Sequence, residues 1–142
     1  MKKAHQKLQA LLALWNERRG GKQMPSRDDL PVTTLRPWLG NLALIDLTGA
    51  APYFRLCGTG LHARFGGEMT RKKLDTLDDA RDGKDLRLCI AKVRNTFSPV
   101  QMTHEADMPG GKMIFHELCA PLAHDGTHID TVLFASYPER RK

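Results

Sequence analysis

His124 and His128 stand four residues apart with Asp125 and Asp130 beside them, the closest approach to a metal-ligand set in this sequence. On a helix that spacing would put two imidazoles on one face. Here His124-Asp125-Gly126-Thr127 reads as a turn, and a catalytic zinc site needs three placed ligands and an open position. They are read as solvated turn residues, and no metal is expected. Cys57, Cys89 and Cys119 are odd in number, far apart and without a Cys-x-x-Cys pair. Each lies among apolar neighbours, where a reduced thiol behaves as a small hydrophobe. Gly58-Thr59-Gly60 follows an apolar run, but neither a full Gly-x-Gly-x-x-Gly nor a Gly-Lys-Ser/Thr ending is present. It reads as a turn. Ser26, Ser98 and Ser136 lack a Gly-x-Ser-x-Gly setting, and no nucleophile signature surrounds Cys57 or Cys119. No nucleophile, base and oxyanion pocket can be assembled, so the chain is not expected to be an enzyme.

Two charges carry more information. Arg55 and Glu117 each interrupt a run that otherwise reads as an apolar strand. Buried charges are paired, so one expectation is that the two sit near each other, or that Arg55 turns toward an anionic ligand. The other is that both face solvent. His116 alternates with Ile114 and Leu118, which aims its ring at an apolar surface. There it could ligate haem or be satisfied by hydrogen bonds within the core, and the second reading is preferred. His104 shares a strand face with Met102, opposite Glu105 and Asp107.

The elements that must hold these residues fit one domain. The chain has 142 residues, 41% hydrophobic and 27% charged, ordinary values for a globular fold. No apolar run nears the roughly 20 residues of a membrane span, and no apolar signal core follows Met1-Lys2-Lys3. A cytoplasmic location is expected. The net charge of +6 is concentrated in residues 1–40, where eight Lys/Arg face three Asp/Glu. With 6% aromatic residues, this pattern favours a solvated helix face over a nucleic-acid surface.

Leu8, Leu11, Leu12 and Trp15 recur at helical spacing from residue 4 to about 19, and Gly20-Gly21 ends that helix. Its stripe must pack on the domain's own sheet or on a second subunit. After a connection marked by Pro25 and Pro31, Val32 to Leu39 gives a helical turn. Leu42–Leu47 and Tyr53–Cys57 read as two strands in a hairpin, and Leu61–Phe65 as a short helix. Leu74 and Leu77 anchor a polar segment. Leu86, Ile90, Val93 and Phe97 then mark an amphipathic helix closed by Pro99. Val100–Met108, Met113–Leu122 and Ile129–Tyr137 are the last three strands. The implied fold class is α+β: a five-stranded antiparallel sheet with helices on one face and the N-terminal amphipathic helix on the other.

That order is the order of a PAS domain, and the residues themselves resemble a bacterial family of PAS-like proteins, many of them single-domain. The matches are Trp15, Arg18, Gly20 and Gly21, then Met24, Pro25, Arg27 and Asp28, then Arg55, Leu56, Gly58 and Thr59. Gly67, Thr70 and Leu74 follow, with Glu117, Leu118, Pro121, Leu122 and Gly126 near the end. The resemblance runs from about residue 10 to 135. One departure is Arg71, where the family often has Gly.

The resemblance implies a sensory or regulatory role without naming a ligand or cofactor. A helix over 1–22, a PAS-like domain over 23–138 and a basic tail over 139–142 are expected. A ligand cavity would lie between the sheet and the helices of 61–97. Its expected lining is Phe54, Leu56, Leu61, Phe65, Leu86, Ile90, Val93 and Phe97, with Arg55, His116 and Glu117 as the polar residues. No output domain is expected after the last strand, so a signal is expected to leave through protein contacts, in a homodimer or with a regulatory partner. Leu8, Leu11, Leu12 and Trp15 are the expected interface. Two alternatives remain: a nucleic-acid or membrane-surface binder using the basic N-terminus, and a small haem or flavin protein.

Overall fold

Period-two alternation decides how the strands sit, and the central strands have apolar residues to bury on both sides. The computed structural model describes residues 2–77 and 81–141. Helix α1 (Lys2–Arg19) is followed by a short α2 (Val32–Leu35), a 3-10 turn over Arg36–Asn41, and strands β1 (Leu42–Asp46) and β2 (Tyr53–Cys57). Then come a 3-10 turn at Thr59–Leu61, a four-residue α3 (His62–Phe65), a 3-10 turn at Leu74–Leu77 and α4 (Arg81–Thr96). Strands β3 (Val100–Met108), β4 (Gly111–Leu122) and β5 (Thr131–Arg140) complete the order. All five strands form one antiparallel sheet in the order β2-β1-β5-β4-β3.

β1 is buried along its whole length, which requires cover on both faces. The inner face carries Ala43, Ile45, Phe54, Cys119, Val132 and Phe134, packed under Leu61 and Phe65 and under Leu86, Cys89, Ile90 and Val93 of α4. The outer face carries Leu42, Leu44, Leu118, Ala120, Leu122, Leu133 and Ala135. Leu8, Leu11 and Trp15 of α1 cover it, together with Met24, Leu30, Leu35 and Trp38. Each Leu, Ile, Val, Phe or Met among them contributes about 1.5–3 kcal/mol by leaving water. Polar bonds fix the helix in register: Trp15 Nε1 donates to the Pro121 carbonyl at 2.9 Å and Trp38 Nε1 to that of Lys7 at 2.8 Å.

The stripe assigned to an interface is therefore covered by the chain's own sheet. Leu8, Leu11 and Trp15 are buried and Leu12 is half-buried, so α1 is part of the core rather than an appendage over residues 1–22. The tail boundary moves as well. β5 continues through Glu139 and Arg140, which pair with Ile114 and Met113.

Gly58-Thr59-Gly60 is a packing device. A Cβ on Gly58 would lie 2.1 Å from the Leu39 carbonyl oxygen, and one on Gly60 would lie 2.6 Å from that of Gly40. Only glycine lets the chain turn from β2 into α3 so close to the 36–41 turn. Arg71 takes φ 72°, the left-handed region in which glycine is at ease and an L-residue is strained. None of the described helices is long and apolar enough to cross a membrane.

Candidate functional site

α3 has too few residues to hold itself together, so its place depends on what flanks it. The close turn at Gly58 and Gly60 delivers it, and Gly66 ends it in the left-handed conformation with φ 82°. Leu61 and Phe65 anchor it in the inner layer. Between them Arg64 also points inward and is 3% exposed.

Its partner is Glu117 on β4, 1% exposed. Arg64 Nε donates to Glu117 Oε2 at 2.6 Å and Nη2 to Oε1 at 3.2 Å, a two-point clasp. Ser136 Oγ of β5 donates to the same Oε2 at 2.6 Å. The guanidinium carbon lies 5.4 Å from the centre of the Phe65 ring and 5.6 Å from that of Phe115, within range of cation–π attraction. A charge pair in such apolar surroundings is costly to desolvate, and it holds only while both partners and their hydrogen bonds are in place.

This corrects the expected pairing of Glu117 with Arg55. Of the residues expected to line a cavity, Phe54, Leu61, Phe65, Ile90 and Val93 do meet in the inner layer beside Glu117. Their own side chains fill it. The Phe54 and Phe65 ring centres are 5.4 Å apart, and those of Phe65 and Phe134 are 5.8 Å apart. Leu86 joins them, while Leu56 falls on the outer side. Phe97 lies just beyond the end of α4, 38% exposed with φ 55°. His116 faces outward and pairs with Glu139 at 3.0 Å, because alternation along β4 gives it the side opposite Glu117. Arg64 went unread in the sequence: a charge in a four-residue helix carries no periodicity to reveal which way it points.

Arg55 belongs to a second, polar site at the sheet margin. Its Nη2 lies 2.5 Å from Asp46 Oδ2 of β1 and 2.9 Å from the Tyr53 hydroxyl. Asp46 also accepts from Thr48 N at 2.8 Å and Thr48 Oγ1 at 2.6 Å. A pocket of about 340 Å³ opens here, lined by Arg27, Asp28, Asp46, Thr48, Arg55, His124, Asp130 and Thr131. Arg27 and Asp28 from one segment and Arg55 from another, three of the residues that carry the family likeness, meet at it. Burial first, and then the neighbouring Arg55 charge, lower the pKa of Arg27.

Burial of Asp46 opposes its ionisation, but the bonds from Arg55 and Thr48 outweigh it and hold the carboxyl at about 2. A carboxyl lowered by folding adds stability above its unfolded pKa, and that stability is lost as pH falls toward the folded value. Acid unfolding of the native chain is therefore expected to draw on Asp46 between its ordinary value of 3.8 and about 2. In Asp46→Asn the difference in unfolding free energy from the native protein should shrink across that window, as read by urea titrations at each pH. A constant difference from pH 6 to pH 2 would remove Asp46 from the acid response.

Among the described residues, no group of three or more His, Cys, Asp or Glu side chains is placed to hold a metal ion. In the turn, Asp125 accepts from the backbone of Thr127 and His128, while His124 N donates to Asp130.

The sequence profile of the PAS domain family matches residues 3–134. No curated protein matches the chain in sequence. Among solved structures it is similar to a light-oxygen-voltage domain from a study of a flavin analogue, at 13% identity and a TM-score of 0.55 over 78% of this chain and 84% of that one. It is similar to the LOV protein of Rhodobacter sphaeroides at 12% identity and a TM-score of 0.53, covering 72% of this chain and 60% of that one. A LOV domain from a blue-light activated histidine kinase of Erythrobacter litoralis gives 15% identity and a TM-score of 0.50, covering 71% and 96%. At these identities the likeness is one of fold. With the profile spanning nearly the whole chain and the five-stranded sheet in place, this chain belongs to the PAS domain family, whose members are non-catalytic sensory modules.

Proposed function

We propose that this chain is a sensory or regulatory module in which a small anionic ligand competes with Glu117 for Arg64, and that the resulting movement of α3 is passed on through protein contacts. The observation that supports this reading is the buried clasp of Arg64 and Glu117. It places a guanidinium in the inner layer of a sensor fold, on a helix with glycines on both sides. A carboxylate or phosphate ester could take the place of the Glu117 carboxylate on Arg64, and the displaced Glu117 would then have to take up a proton or turn toward water. Release of Glu117 would loosen α3 from β4 and β5, next to the surface of α4. The signal then reaches a second copy of the chain or a regulatory partner, by a face other than the Leu8, Leu11 and Trp15 stripe.

Thermal shift against a panel of small carboxylates and phosphate esters tests this, with native mass spectrometry to find any molecule that co-purifies. Glu117→Gln removes the internal competitor and is expected to enlarge the stabilisation by the active anion. Arg64→Met is expected to abolish it. Equal shifts in the native chain and both variants would reject the reading. An absorption spectrum of the same sample reports flavin or haem, the competing cofactors.

A further inference from the structure

Two of the three cysteines meet in the core, although they lie thirty positions apart on α4 and β4. Cys89 and Cys119 are each 1% exposed and belong to the same inner core cluster. A third sulphur joins them. Cys89 Sγ lies 2.8 Å from Met102 Sδ. The sheet register explains the meeting: Cys119 pairs with Val100 and Glu117 with Met102, so Cys119 and Met102 are diagonal neighbours on the inner face. Cys89 descends on them from α4. Cys57 is elsewhere, beside Gly58 and Met69.

Sulphur donors alone, with no imidazole among them, sort metals by softness. Thiolates and thioethers select Cu(I) over the harder divalent ions. Zinc takes four ligands from Cys, His and carboxylates, which two thiols and a thioether do not supply. A thioether also has no part in a disulfide, so the third sulphur favours ion binding over a thiol switch. We propose that Cys89, Cys119 and Met102 form a three-coordinate site for one soft monovalent metal ion, of the class of Cu(I) and Ag(I).

The way in is a cleft beside Met102. Met102 is half-buried and lines a cleft of about 250 Å³ between α4 and β3, with Asp85, Leu88, Lys92, Thr103, His104 and Glu105 around it. Its unbranched side chain can swing to pass an ion inward and then close as the third ligand. Each cysteine gives up its proton to solvent as its metal–sulphur bond forms, so the bound site has two thiolates, one thioether and one cation, a net charge of −1. Binding therefore tightens as pH rises. The bound ion ties α4 to β3 and β4, a contact separate from the clasp on α3.

The test is a titration of the reduced full-length chain with Ag(I), and under argon with Cu(I) supplied as its acetonitrile complex. An ultraviolet sulphur-to-metal charge-transfer band should saturate at one ion per chain, with native mass spectrometry showing the same stoichiometry. Loss of an outer-shell partner already weakens metal sites about 10–100-fold, and Met102→Leu should cost at least that much in competition with a chromogenic chelator. That swap conserves volume at a half-buried position, so circular dichroism should show an unchanged fold. Cys89→Ala with Cys119→Ala should abolish the band. Cys57→Ala should leave it intact. A titration without a one-equivalent end point, Met102→Leu binding as tightly as the native chain, or loss of the band in Cys57→Ala would each overturn the assignment.

Discussion

Glu117→Ala is expected to destabilise the chain by about 3–5 kcal/mol, because removing one partner of a buried ion pair strips the other of that counter-charge in a medium that solvates charge poorly. Arg64 would be left facing the Phe65 and Phe115 rings without its two-point acceptor, and the Ser136 hydroxyl would lose its own. Against a typical domain stability of roughly 5–15 kcal/mol, that is about a fifth of the total at the least. Arg64→Met with Glu117→Leu should behave differently. Taking both charges out together replaces the clasp with apolar side chains, and such exchanges are often neutral or stabilising. The double variant should unfold at a higher urea concentration than Glu117→Ala, despite carrying more changes. Urea midpoints for both singles and the double give the coupling between the two residues. If Glu117→Ala unfolds at the native midpoint, or the double falls by the sum of the singles, the clasp is not a buried, coupled pair.

What could be read from the sequence about this site followed from period and from misplaced polarity. Glu117 interrupts the apolar sequence of β4, and that alone marked it as a charge needing a partner. Which arginine supplies the partner was not readable. Arg55 lies in a strand with clear alternation but sits outside, 54% exposed and paired with Asp46; Arg64 lies in a helix of one turn, 53 residues from Glu117. Choosing between them requires the packing of α3 on the sheet, a tertiary fact that no local pattern encodes. The sulphur cluster escaped for the same reason. Cys89, Met102 and Cys119 belong to three elements, and each looks like an ordinary core residue in its own. The sheet itself was readable because strands with alternating or continuous apolar runs declare both their existence and their faces. The α1 stripe was plain too, although its spacing could not say whether the chain's own sheet or a second copy would cover it.

That choice has a large consequence. Trp15→Ala is expected to cost about 3–5 kcal/mol, the usual range for emptying a buried aromatic site, and it also strips the Pro121 carbonyl of its indole donor. Trp15→Phe keeps most of the packing and loses the hydrogen bond alone, so it should cost about 1–3 kcal/mol for the carbonyl left unsatisfied. Deleting residues 1–20 goes further. Leu118, Ala120, Leu122, Leu133 and Ala135 would lose the cover that Leu8, Leu11 and Trp15 provide, and a bare apolar sheet face seeks another surface. The truncated chain is expected to aggregate, or to self-associate through that face, and to melt far below the native protein. Light scattering and circular dichroism on the two proteins decide it. A monomeric truncated chain with native melting would show that α1 contributes little to the fold. The same experiment bears on assembly: a dimer through Leu8, Leu11 and Trp15 requires α1 to leave its own sheet and dock on its neighbour's. In the native chain those side chains are occupied, so association between intact copies must use the surface they leave free.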